Sequence, residues 1–142
     1  MLSVMCLVSL GLVACSGTDD NGPFDDNDLT GTYVACAPPE GLETNYQKIE
    51  LSFSGNNFTS KTNYYSASDC SGTSLGEETS TGTFSTSGNN IDYAYTGGVT
   101  IYDIYQVNGL NLRVGDRSGS NNGLSPETRP TGYEESFQFS KQ

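Results

Sequence analysis

The two-residue alternation of apolar and polar side chains after Leu29 limits most strongly what this chain can fold into. It is clearest over residues 48–53, which read KIELSF. Because successive side chains of a strand point to opposite faces, such alternation predicts a strand with one buried and one solvated face. Similar short runs, rich in Tyr, Phe, Val, Ile and Thr, recur to the end of the chain, and no segment predicts a helix. The alternation therefore predicts an all-β domain.

The spacing of the runs indicates how the strands are connected. Asn108 and Gly109 form the strongest short signal for a tight hairpin turn, and most other runs are also separated by short Gly, Asn and Ser segments. Consecutive hairpins give an antiparallel meander, and closing the meander removes its exposed edges. We therefore predict an up-and-down barrel of about eight strands, with a two-sheet sandwich as the second choice. The predicted strands are residues 30–36, 48–53, 58–65, 77–81, 82–86, 91–96, 100–107, 110–114 and 135–140.

One connection, residues 115–132, is much longer than the others and is rich in Gly, Ser and Asn. Structureless loops of this length are usually functional or mobile, so we expect it to cover one end of the barrel as a flap. Within it, residues 116–122 offer mostly neutral oxygen donors. An ordinary solvated loop is therefore a better interpretation than a metal site, and the sequence predicts neither a metal nor a cofactor.

Charge and the absence of histidine argue against several functions. The chain has 6 Lys and Arg against 17 Asp and Glu, a net charge of −11, and no His. A negative surface disfavours nucleic acid and the anionic headgroups of a bilayer. Without His, the commonest general base and metal ligand is missing. The spacing of Glu50, Asp92, Asp103 and Asp116 does not distinguish them from solvent-facing strand residues, so we predict that the protein is not an enzyme.

An uncharged apolar leader, residues 1–14, precedes the β-rich part. It is shorter than the roughly 20 residues that span a bilayer and matches the apolar region of a signal peptide, with a buried strand as the alternative. No Lys or Arg opens it, and a start upstream of Met1 would provide one. Residues 12–15, Leu-Val-Ala-Cys, resemble the lipobox of bacterial lipoproteins. The resemblance implies that Cys15 is acylated, and Ser16 in place of Asp implies transfer to the outer membrane.

The lipobox resemblance divides the chain into three parts. Residues 1–14 are the predicted signal peptide. Residues 15–28 carry five Asp and few apolar side chains, so we expect a flexible acidic tether behind the lipid anchor. Residues 29–142 are long enough to form one hydrophobic core and are the predicted barrel domain. The expected location is the cell envelope, anchored to the outer membrane.

Two cysteines remain in the predicted exported domain, Cys36 and Cys70. Cys6 would leave with the leader, and Cys15 would carry the lipid. In an exported protein, such a pair is by default a disulfide. The sequence therefore predicts a bridge between the first strand and the loop after the third.

Residues 29–36, LTGTYVAC, resemble the opening strand of lipocalin-like domains, which often read Gly-x-Trp there; Tyr33 stands in place of the Trp. Together with residues 64–70, YYSASDC, they resemble the domain of adenomatosis polyposis coli down-regulated proteins. Small bacterial lipoproteins carry a similar β-domain, and residues 129–142 also resemble them. That family is similar to lipocalins in shape, and its extracellular members bind lipid. The resemblance covers residues 29–70 best, and it implies a lipocalin-like barrel that binds lipid.

Four tyrosines are candidates for contacting such a ligand: Tyr93, Tyr95, Tyr102 and Tyr105. A tyrosine combines apolar area with a polar tip, which suits a pocket for an amphiphile. Cross-strand packing is the alternative for each ring. The leading hypothesis is therefore a membrane-anchored, lipocalin-like binder of a small hydrophobic ligand. The alternatives are an accessory lipoprotein of the envelope that interacts with proteins, and a carbohydrate-binding or adhesive module. No nucleic-acid partner is expected.

Overall fold

The computed structural model describes residues 29–39 and 44–142. The predicted signal peptide, the predicted tether and Cys15 lie outside the described residues. The eight strands are β1 Gly31–Ala37, β2 Tyr46–Ser54, β3 Asn57–Tyr65, β4 Gly76–Ser87, β5 Asn90–Tyr95, β6 Thr100–Asn108, β7 Asn111–Val114 and β8 Phe139–Lys141. One 3₁₀ turn, Pro126–Thr128, lies in the long loop. Among helices of the described residues, none has the length and hydropathy needed to cross a membrane.

The strands form a closed antiparallel barrel in which each strand pairs with its neighbours in the chain. β1 and β8 close it, with Tyr33 opposite Lys141 and Val34 opposite Ser140. The predicted up-and-down barrel is therefore confirmed, and the sandwich alternative is wrong. Because directly opposite residues share a face, the register shows that Tyr33, Leu51 and Ser60 all point inward.

Two differences between the predicted strands and the structure are larger than one or two residues at an end. Residues 77–81 and 82–86 were predicted as separate strands, but they belong to the single strand β4, which continues through Gly82. Gly82 lies directly opposite Phe58 on one side and Tyr95 on the other. The glycine therefore marks a point of close packing within a strand, whereas the sequence prediction treated it as the start of a new strand. The last predicted strand, residues 135–140, is also too long, since β8 begins only at Phe139.

Aromatic and aliphatic side chains fill one end of the barrel. Three edge-to-face contacts organise this end: Phe53 on Phe84 at 5.1 Å between ring centroids, and Phe58 on Tyr93 and on Tyr95, each at 5.0 Å. Rings at these separations are favourably placed relative to one another. The other fully buried side chains of this core include Tyr33, Ile91 and Leu112. We call this the closed end.

The long loop, residues 115–132, is bound to the outer wall through Gly123 and Arg129, and only its first residues reach the barrel interior, at Arg117. The loop as a whole therefore does not form the expected flap. Arg129 donates hydrogen bonds to the backbone oxygens of Asp103 (2.5 Å) and Ile91 (3.2 Å) and to the Asp92 carboxylate (2.6 Å). The Tyr102 N–H donates to the Gly123 oxygen at 2.8 Å. These hydrogen bonds to polar groups of β5 and β6 hold the loop against the side of the barrel.

Candidate functional site

The half of the barrel opposite the closed end contains a cavity of about 240 Å³. Its apolar walls come from β2, β3, β7 and the segment around β8: Ile49, Leu51, Phe58, Val114, Phe137 and Phe139. Its polar groups include Gln47, Ser60, Thr62, Asp103 and Arg117. The mixture of apolar wall and a few polar groups is typical of small-molecule sites.

The cavity lies beside inward positions of β3 that carry small side chains, Ser60 and Thr62. Ser60 lies opposite Leu51 on β2 and opposite Ser80 on β4. Thr62 continues this small inward row, opposite Ile49. An eight-stranded barrel is just wide enough to be filled by large side chains or to hold one small ligand. Here the small side chains of β3 leave the space beside them unfilled.

The four candidate tyrosines do not lie together. Tyr93 and Tyr95 line the cavity, whereas Tyr105 is buried in the core cluster. The structure does not place Tyr102 at the cavity, because the inward positions of β6 are Ile101, Asp103 and Tyr105. Tyr102 therefore points outward, beneath the Arg129 guanidinium at 5.4 Å.

The tyrosines of the cavity stay protonated at ordinary pH. Burial raises the pKa of Tyr93 far above the usual phenol value, and the nearby Asp103 carboxylate raises it further. Burial also raises the pKa of Tyr95, against an opposing effect of Arg117. Both hydroxyl groups are therefore neutral donors to whatever enters the cavity.

Asp103 is a buried carboxyl group in the cavity wall, with 2% of its surface exposed. Its Oδ1 accepts the Gly115 N–H at 3.0 Å and the Ile104 N–H at 2.7 Å. Burial raises its pKa, while Arg117, these two N–H groups and Arg129 oppose the rise. Its spacing in the sequence did not distinguish Asp103 from solvent-facing strand residues, but the structure places it inward. Its place in the alternating row Ile101, Asp103, Tyr105 was a signal that it points inward.

Arg117 enters the cavity from the first residues of the long loop. Its Nε lies 3.6 Å from the Asp103 Oδ2, and 46% of its side chain is exposed, against 3% for Asp103. Gly115 allows this approach, since a Cβ there would overlap Asp103 and Pro130. Within the described residues, Arg117 has no other ion pair or hydrogen bond. Nothing in the sequence distinguishes this arginine, because it lies in an irregular loop with no periodicity.

A second, outer cleft of about 580 Å³ meets the cavity at Tyr95 and Arg117, which line both. Four residues that carry hydroxyl groups also line it, Thr79, Ser80, Thr81 and Thr96. No group of three or more His, Cys, Asp or Glu side chains in the described residues is placed to share a metal ion. The site is thus an apolar cavity with tyrosines, one buried acid and one arginine at its mouth.

The disulfide between Cys36 and Cys70 is present, with 5.9 Å between the Cα atoms. This confirms the predicted bridge and lies within the range that a disulfide requires. It joins β1 to the loop after β3, and the neighbouring ends of β1 and β3 lie at the open half of the barrel.

Comparisons of the chain with family models, with curated proteins and with solved structures found no match in any of the three.

Proposed function

We propose that the protein is a membrane-anchored lipoprotein whose barrel binds a small hydrophobic ligand in the open half. The observation that carries the proposal is the cavity, because a barrel of this size is otherwise easily filled by its own side chains. Its apolar wall and few polar groups suit an apolar ligand with a polar end. The lipocalin-like resemblance of residues 29–70 supports the same function.

The cavity volume limits the ligand. A volume of 240 Å³ corresponds to about eight water-sized groups, at about 30 Å³ for each. Most sites for drug-sized molecules are larger, at roughly 300–1,000 Å³. The expected ligand is therefore a short acyl chain or the end of a longer one. We propose binding without catalysis, since Asp103 is held by two N–H groups and Arg117, and none of its hydrogen bonds in the described part of the chain is to a Ser, Thr or Cys side chain.

Filling the cavity is expected to abolish this binding. Ser60→Phe places a ring in the empty space between Leu51 and Ser80, so affinity for a fluorescent short-chain fatty acid should fall roughly tenfold or more. Stability should change by only about 1 kcal/mol, because the ring fills a void. Titration of the wild type and of the variant with the fluorescent probe measures the two dissociation constants.

Thr59→Phe is the matched control, since Thr59 is the outward neighbour of Ser60 on the same strand. It should bind the probe like the wild type. If both variants bind as well as the wild type, the probe sits elsewhere and the interior cavity is not the site.

The proposed anchor is Cys15, 14 residues before the first described residue. Cys15→Ser should move the protein from the membrane pellet to the soluble fraction, because stable attachment depends on acyl chains. Fractionation of cells that express the full chain measures this, with mass spectrometry of the acylated residue. Cys6→Ser is the control and should leave the protein in the pellet. Release by Cys6→Ser, or pelleting of the Cys15 variant, contradicts the proposed anchor.

The packing of the closed end favours a second candidate function, that of an accessory lipoprotein that interacts with other envelope proteins. Phe53, Phe58 and Tyr33 fill that end without a ligand, as a purely structural barrel requires. Failure of every apolar probe to bind would favour this candidate. None of the nine tyrosines, all of which lie in the described residues, is fully exposed, so a flat aromatic surface for carbohydrate is not proposed.

A further inference from the structure

The barrel wall has a lateral gap beside β4 at its open half. β4 pairs with β3 from Gly76 to Thr83, but it pairs with β5 only from Gly82 onward. The Thr96 N–H donates to the Thr81 oxygen at 2.9 Å, and the chain then turns away at Gly97 and Gly98. Among the described residues, no strand pairs with the β5 side of β4 before Thr81. The outer cleft occupies this gap.

The gap is rich in hydrogen-bonding groups that a ligand could use. Thr79 and Ser80 are exposed and line the cleft, and the Ser80 side chain points inward because it lies opposite Ser60. Because N–H and C=O groups of alternate residues point to the same side of an antiparallel strand, the main chain of Thr79 faces the gap, as that of Thr81 does. A row of hydroxyl and amide groups suits a ligand that itself carries hydroxyl groups.

Arg117 brings a guanidinium group, paired on one side with Asp103, to the point where the gap meets the cavity. Its Nε faces Asp103, and the rest of its planar group of donors is free to bind an anion in two parallel hydrogen bonds. The charges at the mouth of the cavity are also unevenly distributed, with Arg117 and Glu78 on different sides. Glu78 lines a different cleft with Gln47 and Tyr64, toward β2 and β3. An anionic group is therefore drawn toward β5 and β6 and away from Glu78.

Resting on the proposed function, we infer that the ligand is a single-chain amphiphile with an anionic, hydroxyl-bearing headgroup. Its chain lies in the cavity, and its headgroup leaves through the lateral gap. Arg117 binds the anion, and the Ser80 hydroxyl and the main chain of Thr79 bind the hydroxyl groups of the headgroup. A phosphoglycerol headgroup on one short acyl chain has this chemistry.

Four probes with the same eight-carbon acyl chain distinguish the contribution of the headgroup from that of the chain. They are a lysophosphoglycerol lipid, a lysophosphocholine lipid, a monoacylglycerol and the free fatty acid. Competition against a fluorescent fatty acid, below the concentration at which each probe forms micelles, gives the four affinities for the folded domain. The lysophosphoglycerol lipid should bind about tenfold tighter than the monoacylglycerol and tighter than the other two, as expected for hydrogen bonds to a charged group.

Arg117→Gln should reduce the ratio of lysophosphoglycerol to monoacylglycerol affinity to about one. The control Arg113→Gln should keep the ratio of the wild type, since Arg113 contacts Glu135 and Tyr133 and lies outside both the cavity and the gap. Ser80→Ala should lower affinity for lysophosphoglycerol. Thr83→Val, on the outer face of the same strand and opposite Ala94, should not.

The outcomes are distinct. If the monoacylglycerol and the fatty acid bind but the phosphoglycerol headgroup gives no gain, the headgroup inference is overturned while the cavity proposal stands. Retention of the preference in Arg117→Gln also overturns it. If none of the four probes binds, the proposed function and this inference both fail.

Discussion

Replacing Cys36 and Cys70 together by Ala is expected to lower the free energy of unfolding by about 4 kcal/mol on the chain-entropy account of a bridge that closes a loop of this length. The two residues are 34 apart in the chain, so the reduced unfolded chain gains much conformational freedom. Urea unfolding of the oxidised wild type and of the double variant measures the difference.

The position of the bridge also predicts which part of the barrel loses most stability when the bridge is removed. Cys36 lies on β1 next to Ala37, where the strand ends, and Cys70 lies in the loop between β3 and β4. The bridge thus holds the open half, whereas the aromatic core stabilises the closed end. Hydrogen exchange should increase most around the ends of β1, β3 and β4, because local opening follows the weakest contacts.

Reduced wild type is the control for this prediction. It should unfold at about the same urea concentration as the double Ala variant, since both lack only the cross-link. A variant as stable as the oxidised wild type would mean that the bridge adds nothing to the fold.

The barrel itself was predictable because a strand's periodicity is local. The alternation of residues 48–53 places Leu51 and Phe53 on one face without knowledge of any partner strand. Short turns such as Asn108–Gly109 then leave few ways to connect the strands. Closure followed from the same argument, since an open meander leaves edges unpaired.

The cavity was not predictable in the same way, because it depends on register. Ser60 looks like an ordinary small strand residue, and only its inward position opposite Leu51 places it at the cavity. Asp103 was different, since it stands in an inward row and its burial followed from the alternation alone. Arg117 gave no signal, because the path of an irregular loop is decided by tertiary contacts.

The packing around Gly82 explains why β4 continues where the sequence predicted a break between two strands. Its two neighbours across the sheet are Phe58 and Tyr95, whose rings meet edge to face with centroids 5.0 Å apart. A Cβ at residue 82 would overlap the Ala94 backbone oxygen and approach the Phe58 ring to 2.8 Å. The absence of a side chain is thus what lets both rings lie over the strand, and it does not end the strand.

Gly82→Val is therefore expected to destabilise the domain by about 3 kcal/mol or more, at the upper end of what overpacking costs. The Ala94 oxygen belongs to the backbone of the neighbouring strand and cannot move without disturbing the β4–β5 pairing. Thermal or urea unfolding measures the loss. Near-ultraviolet circular dichroism should also change, because Phe58, Tyr93 and Tyr95 must separate.

Gly97→Ala is the matched control, because a Cβ there meets nothing within 4 Å. It lies at the other side of the lateral gap and should leave stability within about 0.5 kcal/mol of the wild type. If Gly82→Val were equally harmless, β4 would have room at its centre, and the close packing of Phe58 over Gly82 would be wrong. A large loss at Gly82 alone would instead show that the aromatic contacts at the boundary between closed end and cavity depend on this one glycine.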